Sequence, residues 1–70
     1  MDLRRRVGLN VQRLRRLRDL SQEELAHRAG IHQTYLSGVE NGRRNPSIAV
    51  LDRIATALGA DVEELVARVA

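Results

Sequence analysis

Residues 20–42 read LSQEELAHRAGIHQTYLSGVENG, and their punctuation decides the fold. Ser21 and Glu24 stand at the spacing of a capping box, in which hydroxyl and carboxylate satisfy each other's free backbone N–H groups at a helix start. A short helix follows to Ala29, with Leu25, Ala26 and Ala29 inward. Gly30 ends it, since glycine takes the left-handed conformation without steric cost. A second short helix, about 32–40, turns Leu36, Val39 and Glu40 to one side. At ~100° per residue, Gln33, Thr34, Ser37, Gly38 and Asn41 fall on the other. Asn41-Gly42 closes it, and Arg43-Arg44 lead to Asn45-Pro46.

Two short helices meeting steeply need small residues where the backbones approach, and Ala26 and Gly30 supply them. Leu25, Ala29, Ile31, Leu36 and Val39 lock the pair together, which makes residues 21–41 a helix-turn-helix arrangement. Gly38 is the anomaly. Inside so short a helix it costs about 1 kcal/mol against alanine, so its outward face calls for a compensating reason.

Working outward, Leu3, Val7, Val11 and Leu14 form one stripe on a first helix over 2–18, with its boundary near Asp19 and Leu20. Downstream, Ser47 caps a fourth helix whose inward residues are Ile48, Leu51, Ile54, Ala55 and Leu58, and Gly59 stops it. Asp61 and Glu64 form a second capping box, opening a fifth helix over 61–69 with Val62, Leu65, Val66 and Val69 on one stripe. No sustained two-residue alternation marks a strand. The expectation is one all-α domain of five helices over residues 1–70.

The chain has no cysteine, which excludes disulfides and thiolate metal sites, and hydrophobic residues at 43% argue for a folded core. Tyr35 is the sole aromatic, so that core is aliphatic. No apolar run approaches the ~20 residues of a membrane helix. The Arg-rich start has the look of a transit peptide, but its stripe has a packing role, so a cytoplasmic protein is expected. Residues 1–44 carry ten arginines against five acids, whereas residues 45–70 carry two against four. A basic front suits a protein that presents one surface to a polyanion. The absence of lysine reflects genome composition more than recognition chemistry.

From LSQEEL through GRRNPSIAVLDRIATALG and on into DVEEL, the chain resembles the lambda-repressor-like, Cro-type (XRE) helix-turn-helix family, without insertion at any apolar or glycine position. The resemblance implies a double-stranded-DNA-binding transcription regulator whose third helix lies in the major groove. It implies base reading by Gln33, whose amide pairs bidentately with adenine, and by Thr34 and Ser37. Gly38 then leaves room for base or sugar, or is a tolerated surface glycine. The implied backbone contacts are Gln22, Asn41, Arg43, Arg44 and, less directly, Arg13. Tyr35 packs against sugar and backbone or against the second helix. Arg15 and Glu40 match the positions of a structural ion pair.

His32 departs from the serine or threonine that often caps the third helix in this family, and an imidazole caps only through an unprotonated nitrogen. His27 and His32 lack a third ligand, so no metal or cofactor is expected. The HQTYLSGVENGRRNPS segment is especially similar to restriction–modification controller proteins, which are stand-alone dimers. There an arginine often precedes the Thr-Tyr pair, where this chain has Gln33. Single-domain antitoxins share much of the pattern. A homodimer on a two-fold operator, autoregulation and no small-molecule effector are the accompanying expectations. Val62, Val66 and Val69 supply the dimer contact unless they only close the core. An enzyme is not expected: there is no Cys or Lys nucleophile or glycine-rich phosphate loop, and the Glu pairs sit at helix starts, where the dipole favours them. A protein-interaction adapter on the same fold is the alternative, disfavoured by the basic front.

Overall fold

The computed structural model describes residues 2–68. Among them run five helices: α1 (Leu3–Leu17), α2 (Gln22–Ala29), α3 (Gln33–Glu40), α4 (Ile48–Leu58) and α5 (Val62–Val66). Local chemistry sets most of their ends. Asp2 accepts the Arg5 N–H at 2.9 Å, and Ser47 accepts that of Val50 at 3.2 Å. Ser21 and Glu24 close their box with bonds of 3.0 Å in both directions. At α5 the Glu64 carboxylate accepts the Asp61 N–H at 2.8 Å.

The C-terminal ends of α1 to α4 share one device, a left-handed residue at Asp19, Gly30, Gly42 or Gly59. Past α2, Gly30 is left-handed at φ 69°, which returns the Ile31 N–H to the Ala26 carbonyl at 3.0 Å. After α1 the same turn is made by Asp19, at φ 55°, and the Leu20 N–H reaches the Arg15 carbonyl at 3.1 Å. A non-glycine residue there is uncommon, and aspartate is among the few that tolerate it.

The helices enclose an aliphatic core in which Val11, Leu25, Leu36, Val39, Ile54 and Leu65 are fully buried. The periodicity puts Leu3 and Ile48 in phase with this core, yet they are 53% and 82% exposed. Each is the first residue of its helix. Ile48 precedes Ala55 by about 10 Å of helix, past the core's edge. Phase was right and extent was not.

The fifth helix is also shorter than the expected 61–69. It ends at Val66, with Ala67 extended at ψ 149°. The cause is on α1: the buried Asn10 amide donates to the carbonyls of Leu65 at 2.9 Å and Ala67 at 2.8 Å. Those carbonyls have no partner within the helix, so a side chain that takes both favours stopping there. Leu65 is buried, Val62 and Val66 are half-buried against the core, and Val69 lies outside the described residues. Among the described residues, no helix is long and apolar enough to cross a membrane.

The first capping box carries a pH dependence. The Ser21 N–H, then the Ser21 hydroxyl, hold the Glu24 carboxyl below its ordinary value, and Arg28 adds to this. The folded value is the lower one, so this stabilisation is complete above the unfolded value and is lost as pH falls through the folded value. Amide exchange in acid is therefore expected to show the start of α2 fraying as Glu24 protonates. Glu24→Gln keeps an accepting oxygen at every pH and should abolish that dependence.

Candidate nucleic-acid interface

Three core contacts fix how α3 is turned. Leu36 and Val39 are wholly buried and Glu40 is 4% exposed, all on one side of the helix. Gln33, Thr34 and Asn41 are therefore exposed on the other, with Ser37 and Gly38 half-buried at its margin. His32 stands at the N-cap and makes no side-chain cap bond, which leaves the first-turn N–H groups of α3 open.

Beyond Glu40 the chain doubles back. Gly42 is left-handed at φ 74°, and the N–H groups of Arg43 and Arg44 both reach the Gly38 carbonyl, at 2.8 and 3.2 Å. This turn brings the backbone of both arginines back to α3 and lays the Arg44 side chain along it. A Cβ on Gly38 would lie 2.6 Å from Arg44 Cγ. The guanidinium carbon of Arg44 stands 5.8 Å from the centre of the Tyr35 ring, within cation–π range. The space beside Gly38 is thus filled by the stem of Arg44 in the free protein. Tyr35 is half-buried against the core and carries Arg44 on its ring. No pattern in the sequence signals this three-residue unit, because it depends on the direction of the loop after Gly42.

Behind the face lies a hydrogen-bonded hub. Arg15 Nε and Nη2 donate to the two oxygens of Glu40 at 2.8 and 3.0 Å, a bidentate pair whose side chains are 12% and 1% exposed. Arg15 Nη1 donates to the Leu20 carbonyl at 2.9 Å, fixing the α1–α2 turn. The Glu40 hydrogen bond, with its charge, raises the Arg15 pKa against the opposing effect of burial, so the guanidinium stays charged. Gln22 Nε2 donates to Glu40 Oε1 at 3.1 Å, and Gln12 Nε2 donates to the Glu40 carbonyl at 3.2 Å. Neither glutamine bond was foreseen, since a glutamine on a helix surface looks the same whether free or tethered.

The structure brings Gln22, Gln33, Thr34, Ser37 and Asn41 to α3 and its margins, with Arg43 and Arg44 beside them. Arg13 is exposed on α1, where it lines a shallow hollow with Leu9, Gln12 and Leu17. Gly8, Gln12 and Arg15 of α1 meet the end of α3. Among the described residues, no three His, Asp or Glu side chains converge as metal ligands.

A capped, glycine-turned pair of short helices, its second member showing a polar face and an arginine loop, defines a helix-turn-helix protein. The helix-turn-helix family model matches residues 11–65, and the chain belongs to that family. It is 52% identical, over 94% of its length and 86% of the relative's, to an uncharacterized HTH-type transcriptional regulator of Sinorhizobium fredii. It is 38% identical to the control protein C.SmaI of Serratia marcescens, over 97% of this chain and 81% of that one. Among solved structures it is similar to the restriction–modification controller protein C.AhdI of Aeromonas hydrophila. There the TM-score is 0.86 at 39% identity, covering 89% of this chain and 94% of the other.

Proposed function

We propose that this protein is a non-enzymatic transcription regulator that binds double-stranded DNA sequence-specifically, with α3 in the major groove. The observation that carries the reading is the one-sided build of α3. Its apolar residues are spent on the core, and its exposed side is short, polar and flanked by two arginines whose backbone a left-handed turn brings back to it. Gln33, Thr34 and Ser37 read base edges. Gln22, Asn41 and Arg43 grip phosphates, joined by Arg44 from its seat on Gly38 and Tyr35. Kinship with named transcription regulators supports the same reading.

A single domain reaches one half-site, so the proposal includes a homodimer on a two-fold operator, acting in the cytoplasm without a small-molecule effector. Exposed Ile48 and Leu3, with half-buried Val62 and Val66, offer apolar surface for pairing. Leu3 and Val66 line a hollow of about 140 Å³ with Pro46 and Leu51. The identity to a control protein and the likeness to a controller structure favour, as the narrower role, a restriction–modification controller.

Selection from a randomised duplex pool, with wild type and Gln33→Ala in parallel, tests this. Wild type is expected to enrich a two-fold symmetric motif, and Gln33→Ala to lose ~1–3 kcal/mol of discrimination at one symmetric position. No enrichment by wild type at low salt refutes the reading and redirects attention to a protein partner for this face.

A further inference from the structure

Gln22 begins α2 beside the C-terminal end of α3, and its amide is already engaged, with Nε2 donating to Glu40 Oε1 at 3.1 Å. Glu40 is itself held from two other directions, its carboxylate by Arg15 and its carbonyl by Gln12. With its side chain 1% exposed, the carboxylate has little access to water, whereas Gln22 is only half-buried. An ionised carboxylate only accepts hydrogen bonds, so it dictates which end of the Gln22 amide turns inward. The inward end is the NH₂, which carries two hydrogens. Glu40 uses one of them, and the second remains for an acceptor at the surface.

We propose that Glu40 is a positioning residue for DNA: it fixes the Gln22 amide so that its second N–H meets a backbone phosphate, which also only accepts. The proposal rests on the DNA-binding reading above. A free surface glutamine samples many rotamers and both amide orientations, and ordering it on contact weakens binding. Here that ordering happens on folding. The charge of Glu40 reaches the DNA through an oriented dipole, and its side chain touches no base.

Glu40→Gln is the sharpest test. The new side chain keeps the shape and its oxygen still accepts from Arg15 Nε, but its NH₂ replaces the oxygen that accepted from Arg15 Nη2 and Gln22, and so needs an acceptor. The Gln22 carbonyl oxygen is the nearest group that satisfies it, reached by turning the Gln22 amide over. A phosphate contact carries no sequence information, so a mixed-sequence duplex at low salt serves as the probe.

Two measurements are made on wild type, Gln22→Ala, Glu40→Gln and the double variant. One is the nitrogen–proton spectrum of the Gln22 side-chain amide, and the other is affinity for that duplex. In wild type, one Gln22 amide proton should be shifted and protected from solvent exchange, and Glu40→Gln should erase that signature. Each single variant should weaken binding about tenfold, the scale of a hydrogen bond to a charged group, and the double variant no more than either single one. Two freely exchanging Gln22 protons in wild type overturn the proposal, whatever happens to binding. If Glu40→Gln weakens the Gln22→Ala protein as much as it weakens wild type, Glu40 acts through the fold and the positioning role falls, while DNA binding stands. If wild type binds no duplex, both readings fall together.

Discussion

Glu40→Ala is expected to remove ~3–5 kcal/mol of folding stability, the cost of leaving one half of a buried ion pair uncompensated. Arg15 would lose both carboxylate bonds, and the Gln22 amide its acceptor, between three helices. In a domain of this size each kcal/mol moves Tm by about 4–8 °C, so the variant should melt at least about 12 °C lower. Arg15→Met combined with Glu40→Leu should lose less than Glu40→Ala alone, because the net worth of a buried pair is small once both charges are gone. Urea unfolding of the three proteins checks both statements. A cost for Glu40→Ala below about 1 kcal/mol would mean that the pair behaves as a surface pair and organises nothing.

Gly8→Ala is the second large effect, and its direction opposes helix propensity. Alanine gains about 1 kcal/mol over glycine inside a helix. A Cβ at position 8, however, would lie 2.5 Å from the Val39 carbonyl oxygen and 2.6 Å from that of Glu40. These are backbone atoms of α3, so relief requires α1 and α3 to move apart, and overpacking of this kind costs about 1–3 kcal/mol. Net destabilisation is expected, together with weaker DNA binding as α3 shifts. Gly38→Ala provides the contrast, because its Cβ meets the flexible side chain of Arg44. That variant should be neutral or slightly more stable, yet bind DNA differently once Arg44 is dislodged. Thermal melts and duplex titrations of both variants separate the two outcomes.

Local chemistry made much of this fold legible. The Ser21–Glu24 box, the Ser47 cap and the left-handed Gly30 and Gly59 each depend on residues a few positions apart, and each sits where the sequence places it. The inward side of α3 was legible for the same reason, through Leu36, Val39 and Glu40. What escaped is tertiary. Periodicity gives the phase of Leu3 and Ile48 but not where the core stops. The early end of α5 is imposed by Asn10, from the far end of the chain, although a polar residue between Val7 and Val11 on the core side of α1 was a signal. The closeness of α1 and α3 at Gly8, the two glutamines on Glu40 and the folding of Arg44 over Gly38 arise from packing angles that no local pattern encodes. Asp19 escaped because its left-handed turn is normally announced by glycine.

The most direct test of the central claim is a residue-by-residue map of backbone amide shifts as the selected duplex is titrated into the labelled protein. The largest changes should fall on Gln33, Thr34, Ser37 and the Asn41–Arg44 turn, with a second group at Gln22 and little on α5. If the changes instead gather on the outer arginines of α1 while the α3 amides stay still, binding is undirected charge attraction, and α3 is not the element that reads DNA.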